Sequence, residues 1–337
     1  MSDSSATRRQ FLSTAAAAGA ATLALTRPRA QAAPADKPER VDGIPYRKFG
    51  RANERVSLLG VGGYHIGRGD EADSIRMIQE AVDHGATFMD NAWEYHKGES
   101  ERRMGKALAG PRRDKAFLMT KHHGRDAKTA MKHLEDNLRR LATDRIDLWQ
   151  FHEVVHDGDP DMIFARGGGI EAADKAKQQG KVRYVGFTGH KHPWLLLKML
   201  AYDYPWDAVQ MPLNPFDGTF QSFQKRVLPV LVKRGIAPLA MKTRASGILV
   251  RTKAVTLEEC WRYVTALPVA TVISGMDSLT HVRENLELAR KLEPMTKDEM
   301  AALEKRTVTL AATGEHEPYK TTNRFDGPIG RQQHGVS

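Results

Sequence analysis

The chain has 337 residues and a formal net charge of +10, from 51 Lys and Arg against 41 Asp and Glu. The basic residues are scattered and form no stripe interleaved with aromatic residues, so we expect no nucleic-acid partner. A single cysteine, Cys260, excludes an internal disulfide and any metal or iron–sulfur site built from cysteines alone.

The first residues have the order of an export signal. Arg8 and Arg9 precede an apolar, alanine-rich run over 11–25, and a small-x-small cleavage site follows at 30–32. The run is too short to cross about 30 Å of hydrocarbon, so we expect no stable membrane insertion. Paired arginines are typical of the twin-arginine route, which carries folded proteins. We predict that residues 1–32 are cleaved and that the protein is periplasmic; a disordered N-terminal tail is the alternative.

Cleavage would remove four arginines and one aspartate, which lowers the net charge from +10 to +7. Residues 33–44 are rich in proline, alanine and charge, and we predict a linker there. After the linker, short apolar runs alternate with helical patterns. Runs that are apolar on both faces are typical of parallel strands buried between two layers. The eight runs are 56–61, 87–89, 116–119, 146–151, 182–187, 208–211, 236–241 and 270–273.

Two segments between these runs carry apolar residues at helical spacing, which indicates amphipathic helices. Their apolar positions are Met131, Leu134, Leu138 and Leu141, and then Leu279, Val282, Leu286 and Ala289. Eight strands that each precede a helix predict an α/β fold, a (β/α)8 TIM barrel formed as a single domain over 45–311. The rival is an open doubly wound sheet, but the glycines after the first run fit its phosphate-binding motif badly. Residues 312–337 have no apolar periodicity and form a C-terminal tail.

Catalytic residues of such barrels lie just after the carboxyl ends of the strands. Asp90 and Tyr95 follow the second run, Lys121 follows the third, and His152 follows the fourth. These residue types suit carbonyl reduction, in which an alkoxide develops and needs a proton. We predict that Tyr95 is the general acid, that the Lys121 ammonium lowers its pKa, and that Asp90 anchors Lys121. His152 would orient the carbonyl with a hydrogen bond.

Each of these residues also has an ordinary structural explanation. Asp90 could cap a turn, Lys121 could be a solvated lysine, and His152 could be a hydrogen-bonded histidine at the edge of the core. The convergence of four suitable residues on one mouth favours catalysis. We expect no metal, because no His-x-x-x-His pair lies on a predicted helix near a carboxylate. The adjacent His122 and His123 point in opposite directions in an extended chain.

Residues 45–292 resemble the aldo-keto reductases. The resemblance is carried by the segments "YRKFGRANERVSLLGVGG", "DHGATFMDNAWEYHKGESERRMGKAL", "LMTK", "LRRLATDRIDLWQFHE", "GKVRYVGFTGH", "AVQMPLN" and "GMDSLTHVRENLELA". It implies a (β/α)8 barrel that uses NADPH, less often NADH, without metal or flavin. The family's four catalytic positions match Asp90, Tyr95, Lys121 and His152.

The resemblance also implies the cofactor contacts. Thr188 and Gln210 would bind the nicotinamide carboxamide, and Met241, followed by Lys242, stands where many members have a stacking tyrosine. The segment after the eighth run would bind the adenosine phosphate end, because a helix N-terminus attracts phosphate. Its predicted contacts are Ser274, Gly275, Arg283, Glu284 and Asn285. The expected cofactor is NADP(H), with NAD(H) possible.

Two functions follow as hypotheses. The first is an exported oxidoreductase that interconverts a small-molecule carbonyl and an alcohol, with its cofactor loaded before export and recycled by a second substrate or a redox partner. The second is a nucleotide-binding sensor or accessory subunit with little turnover. Aromatic residues on the mouth loops either bind substrate or pack the loops themselves, and the tail could fold over the mouth. The aromatic candidates are Tyr64, His65, Trp93, Trp149 and Phe216 on the loops, with Tyr319 and Phe325 in the tail.

Overall fold

Eight parallel strands close into a barrel in this computed structural model, which describes residues 39–335. The strands neighbour one another in chain order, and the eighth pairs with the first to close the barrel. The predicted signal 1–32 lies outside the described residues. The barrel strands are β4 Leu59–Gly62, β5 Phe88–Asp90, β6 Phe117–His122, β7 Ile146–Phe151, β8 Val182–Thr188, β9 Ala208–Pro212, β10 Ala237–Met241 and β11 Thr271–Gly275.

The predicted (β/α)8 barrel is therefore confirmed, and each apolar run overlaps a barrel strand. The first run, 56–61, is divided between two strands. Its beginning belongs to a separate strand, and the barrel strand starts at Leu59. The division falls at Leu58, whose N–H donates to the carbonyl of Pro45 outside the barrel at 2.8 Å.

A small antiparallel sheet covers the amino-terminal end of the barrel. It consists of β1 Arg40–Val41, β2 Ile44–Lys48 and β3 Arg55–Ser57. The last part of the predicted linker 33–44 thus pairs as a β-hairpin. Phe49, which follows β2, is fully buried, and its ring lies 4.9 Å from that of Phe117 and 5.1 Å from that of Tyr184. Because aromatic side chains close this end, the opposite mouth is the place for a site.

Helices surround the barrel, and both predicted apolar stripes lie on helices that pack against it. Leu134 and Leu286 are buried in the main core. None of the helices in the described part of the chain is long and apolar enough to cross a membrane. The helices are α1 Gly63–Ile66, α2 Glu71–Asp83, a 3₁₀ turn Tyr95–Gly98, α3 Glu99–Ala107, α4 Pro111–Lys115, α5 Ala127–Arg140, α6 Asp159–Phe164, α7 Gly169–Gln178, α8 Pro193–Ala201, α9 Phe223–Arg226, α10 Leu228–Arg234, α11 Ile248–Arg251, α12 Leu257–Ala266, α13 Leu279–Arg290, α14 Lys297–Ala311, α15 Pro318–Thr321 and α16 Pro328–Gln333.

The tail after α14 is held by buried charges rather than by an apolar stripe. The Lys320 ammonium donates to the Asp217 carboxylate at 2.8 Å and to that of Glu317 at 2.9 Å. It also donates to the carbonyl of Phe220 at 2.8 Å. Lys320 is only 2% exposed, so this ion triad fixes the start of the tail to the loop after β9.

We predict that Lys320→Ala lowers the free energy of unfolding of residues 33–337 by about 3–5 kcal/mol, because two buried carboxylates lose their shared cation. The measurement is urea-induced unfolding. Lys305→Ala, on the exposed side of α14, is the matched control and should leave the midpoint unchanged. Equal midpoints for both variants would contradict the proposed anchoring.

Candidate active site

A buried lysine lies at the centre of the mouth. Lys121, near the end of β6, is 1% exposed and pairs with the Asp90 carboxylate at the end of β5. Its ammonium also donates to the carbonyl of Asn91 at 2.7 Å and to the Tyr95 hydroxyl at 3.3 Å. The adjacent parallel strands β5 and β6 thus bring three of the predicted catalytic residues into direct contact.

A tight turn positions Tyr95. The next two residues, His96 and Lys97, have φ of +51° and +56°, so the chain reverses at once into α3. The Tyr95 ring lies edge-on to the His152 ring at 5.6 Å between centroids, and to that of Tyr64 at 5.4 Å. All four predicted catalytic side chains therefore meet at the carboxyl ends of neighbouring strands.

The protonation of the site differs from the expectation in one respect. Burial raises the pKa of Tyr95 well above 10, and the nearby Asp90 and Glu94 carboxylates raise it further. The net direction is opposite to the lowering that we expected from Lys121, whose ammonium also pairs with Asp90. Tyr95 is thus protonated at neutral pH. Burial also lowers the pKa of His152 to about 3, so its imidazole is neutral.

The residues expected at the nicotinamide have groups available for a ligand. Gln210, in β9, donates from its amide nitrogen to Asp90 at 2.9 Å, while its amide oxygen is buried without a hydrogen-bond partner among the described residues. Thr188, at the end of β8, is its strand neighbour. An unpartnered buried oxygen beside the catalytic aspartate fits a ligand with an amide N–H, as a nicotinamide carboxamide has.

Met241 and Lys242 follow β10 at the same mouth. The Lys242 ammonium lies 5.4 Å from the centroid of the Tyr319 ring and 4.9 Å from that of Phe325, both in the tail. Burial lowers the pKa of Lys242 to about 8. Lys242 therefore connects the nicotinamide side of the mouth to the tail.

The residues predicted to bind the adenosine phosphate end fall into two groups. Ser274 and Gly275 end β11 beside the N-terminus of α13, and the Ser274 hydroxyl donates to Asn285 at 2.8 Å. Glu284 is exposed, and the Arg283 guanidinium forms an ion pair with Glu80 of α2 at 2.6 Å. Ser274, Gly275 and Asn285 therefore lie together at the start of α13. Arg283, in contrast, is already paired with a carboxylate of the protein.

Arg244 is a candidate that the sequence analysis missed. It lies two residues after Lys242, and the one hydrogen bond of its guanidinium in the described structure is a long one, 3.5 Å, to the carbonyl of Gly275. Burial lowers its pKa, and no carboxylate in the described chain forms an ion pair with it. A partly buried guanidinium without a counter-ion, beside the start of α13, fits a ligand phosphate.

Glu94 was also missed, and the sequence analysis considered His123 only as a possible metal ligand. Both contact His152, although they follow different strands and are far from any His-x-x-x-His pattern. In the sequence, His123 stands next to His122, whose ring instead stacks on Trp149 at 3.8 Å. The two adjacent histidines thus point in opposite directions, and only His123 of the pair faces the mouth.

The tail lies across one side of the mouth. Asp326 is buried, forms an ion pair with Lys191 at 2.5 Å and contacts His190 at 3.3 Å. The next residue, Gly327, donates its N–H to Glu153 at 2.8 Å, directly beside His152. The tail residues expected at the mouth, Tyr319 and Phe325, thus pack on Lys242. Two of the aromatic candidates are fully buried: Trp149 lies within strand β7, so its expected place on a mouth loop is wrong, and Phe216 packs in the loop after β9.

Comparisons with known proteins agree with this architecture. Residues 58–260 match the sequence profile of the Aldo/keto reductase family. The chain is 33% identical over 229 residues to the uncharacterized oxidoreductase YrpG of Bacillus subtilis, covering 61% of this chain and 68% of that protein. It is 25% identical over 305 residues to L-galactose dehydrogenase of Arabidopsis thaliana, covering 76% and 91%. The apo structure of aldo-keto reductase AKR11C1 from Bacillus halodurans superposes with a TM-score of 0.64 at 26% identity, over 78% of this chain and 96% of that one.

The chain therefore belongs to the aldo/keto reductase family. Family membership and the oxidoreductase relatives support interconversion of a carbonyl and an alcohol with a nicotinamide cofactor. They do not favour a sensor or accessory subunit with little turnover. The chain spans only about two thirds of some of these relatives, for example 66% of aldo-keto reductase AMT2 of Alternaria alternata.

If Arg244 holds a phosphate, Arg244→Leu should weaken nucleotide binding at least about tenfold, the equivalent of roughly 1.4 kcal/mol. The free energy of unfolding should not fall, because the substitution removes a partly buried charge that has no counter-ion. Fluorescence titration and urea unfolding give the two readouts. Arg251→Leu, an exposed arginine on α11, is the control. Unchanged nucleotide affinity in Arg244→Leu would contradict the assignment.

Proposed function

We propose that the protein is an NADP(H)-dependent oxidoreductase in which Tyr95 is the general acid in carbonyl reduction and the general base in alcohol oxidation. The observation that carries the proposal is the buried Lys121 ammonium, which contacts both Asp90 and the Tyr95 hydroxyl. A nicotinamide cofactor supplies or accepts the hydride when bound. NADP(H) is our preferred cofactor and NAD(H) the alternative, since Arg244 and the start of α13 offer positive charge for a phosphorylated nucleotide.

Each side chain has a defined task in this reaction. As negative charge develops on the carbonyl oxygen, the protonated Tyr95 hydroxyl donates its proton to that oxygen. The Lys121 ammonium then stabilises the tyrosinate at its hydroxyl contact, and Asp90 holds the ammonium in place. One ring nitrogen of His152 contacts other groups of the protein. The second ring nitrogen can therefore donate a hydrogen bond to the carbonyl oxygen of the substrate.

The mouth favours a polar substrate. Around Tyr95 lie the buried Glu153 and His152 and the partly buried Lys242. Tyr64, 45% exposed and next to the Tyr95 ring, offers a face on which a sugar ring could stack. Among the relatives, L-galactose dehydrogenase has a sugar substrate in its name. These features support a polyhydroxylated carbonyl compound, or the corresponding alcohol, as the substrate class.

Tyr95→Phe should lower kcat for carbonyl reduction by about 10²- to 10⁴-fold, the usual contribution of a general acid. The assay follows cofactor oxidation with a panel of sugar carbonyls and apolar aldehydes. Tyr202→Phe removes an exposed hydroxyl far from the mouth and should keep the parent rate. A Tyr95→Phe enzyme as fast as the parent would refute the assignment, and faster turnover of apolar aldehydes by the parent would refute only the substrate class.

We further propose that residues 1–32 direct the folded protein to the periplasm by the twin-arginine route. The support is the order of the sequence: paired arginines, a short apolar run and a small-x-small site. Nucleotides are expected to be scarce outside the cytoplasm, so the cofactor would be loaded before export and kept. A second substrate or a redox partner would then recycle it in place.

Heat-denatured protein from a periplasmic extract should therefore release close to one nucleotide per chain. An enzymatic cycling assay that distinguishes NADP from NAD measures the released nucleotide and identifies it. A variant with Arg8 and Arg9 replaced by lysine should stay in the cytoplasm and serves as the export control. Freshly isolated, active periplasmic protein without nucleotide would disprove retention.

A further inference from the structure

Two histidines from neighbouring strands contact each other behind the mouth. His123 follows β6, and His152 follows β7. The His152 Nδ1 atom lies 3.1 Å from the His123 Nε2 atom, in a hydrogen bond that either ring could donate. His123 is fully buried and His152 is only 5% exposed, so solvent has little access to this contact. The direction of the hydrogen bond is therefore determined by the surrounding groups of the protein.

The direction of this hydrogen bond decides what His152 can do for a substrate. Burial lowers the pKa of His152 to about 3, so the ring is neutral and carries one proton. In a neutral imidazole one nitrogen donates and the other accepts. If Nδ1 accepts from His123, the proton of His152 lies on Nε2 and can be donated to a substrate oxygen. If Nδ1 donates instead, Nε2 is bare and would repel the negative charge that develops on that oxygen.

The Glu94 carboxylate holds a proton between the two rings. Its Oε2 atom lies 3.1 Å from His123 Nε2, without hydrogen-bond geometry, and its Oε1 atom lies 3.2 Å from His152 Nδ1. Burial would raise the pKa of Glu94, but the two imidazoles outweigh burial and lower this pKa, so the carboxylate is charged. A negative charge beside two ring nitrogens favours a proton on one of them. Because Glu94 contacts both nitrogens at similar distances, it does not decide which ring is the donor.

The second nitrogen of His123 favours His123 as the donor. This Nδ1 atom is buried and has no hydrogen-bond partner within residues 39–335. If His123 accepted at Nε2, its own proton would lie on Nδ1, as a buried N–H without an acceptor. If His123 donates at Nε2, Nδ1 keeps only an unused lone pair. Among backbone groups a buried N–H without a partner is rarer than an under-satisfied acceptor, and we expect the same order for a ring nitrogen.

The main chain of both histidines is held in place, so the contact between the rings persists. The Arg125 guanidinium donates to the carbonyls of His152 and Glu153 at 2.7 and 3.0 Å. Gln333, in α16 of the tail, donates to the carbonyl of His123 at 2.8 Å. Side chains on fixed backbones keep their relative positions while a substrate enters and leaves. The pair is therefore organised before the substrate binds.

We propose that His123 is a positioning residue for the reaction. Its Nε2–H donates to His152 Nδ1 and thereby keeps the proton of His152 on Nε2, where it can bind the carbonyl oxygen of the substrate. The proposal rests on the proposed function, in which His152 orients that carbonyl. His123 is buried behind His152 and acts only through it. Glu94 supports the arrangement by holding a proton between the two rings.

The test reads the tautomer of His152 by long-range 1H–15N NMR correlation of protein labelled with 15N-histidine; the His152→Gln spectrum identifies its resonances. We expect the proton on Nε2 in the parent. In His123→Phe the contact that remains at Nδ1 is the one with the Glu94 carboxylate, so the proton should move to Nδ1. The kcat for reduction of DL-glyceraldehyde with NADPH should then fall about 10²-fold, the order expected for losing one hydrogen-bond donor to a developing oxyanion.

Glu94→Gln added to His123→Phe should reverse both effects, because the glutamine amide can donate an N–H to His152 Nδ1. The proton should return to Nε2, and kcat should recover at least about tenfold. Both variants share the same change at residue 123, so a packing defect cannot produce this recovery.

His133→Phe is the matched control, because His133 is also buried but stacks on Trp93 at 3.8 Å outside the histidine pair. It should keep the parent tautomer and kcat. A proton on Nδ1 of His152 in the parent, or an unchanged tautomer in His123→Phe, would overturn the proposal. The NMR measurement needs no substrate, so an inactive parent with the expected tautomers would refute the proposed function and leave the hydrogen bond from His123 supported.

Discussion

The site depends on one buried ion pair, between Lys121 and Asp90. An ammonium group that is 1% exposed loses nearly all its hydration, and this loss is tolerated only if fixed partners replace the water. Asp90, the carbonyl of Asn91 and the Tyr95 hydroxyl provide these partners. Gln210, from the far side of the barrel, holds the second Asp90 oxygen. The contact with Gln210 therefore depends on the closed barrel, since β9 lies across the barrel from β5, whereas the other partners follow the adjacent strand.

The same pair explains why Tyr95 is protonated. A lysine without a counter-ion would stabilise the phenolate strongly, but Asp90 cancels most of that field while burial and the Glu94 carboxylate oppose ionisation. The site is thus set for proton donation. In the oxidative direction the Tyr95 phenol must first lose its proton before it can act as the base.

The sequence was sufficient for the barrel and for the common place of the four candidate catalytic residues at its mouth, because both follow from local patterns. Apolar runs mark the strands, and catalytic side chains follow the strand ends. The tail was not predictable in this way, since Lys320 and Asp326 hold it by buried ion pairs that leave no periodicity. For Arg283 the sequence predicted a role that its surroundings do not favour. An arginine at this position suits a nucleotide phosphate, yet Glu80, on another helix, already pairs with it. Only the three-dimensional structure reveals such a partner.

The tail and the catalytic histidine are parts of one polar network. Gly327 of the tail donates to Glu153, which adjoins His152 in the chain, and Gln333 of α16 donates to the carbonyl of His123 at 2.8 Å. A shift of the tail would therefore move the groups that orient His152 as well as the wall of the mouth. Because buried ion pairs tolerate little displacement, the tail behaves as a fixed wall. Substrate selection in this protein would then rest on the shape and charge of a preformed mouth, to which Glu153 and Lys242 contribute.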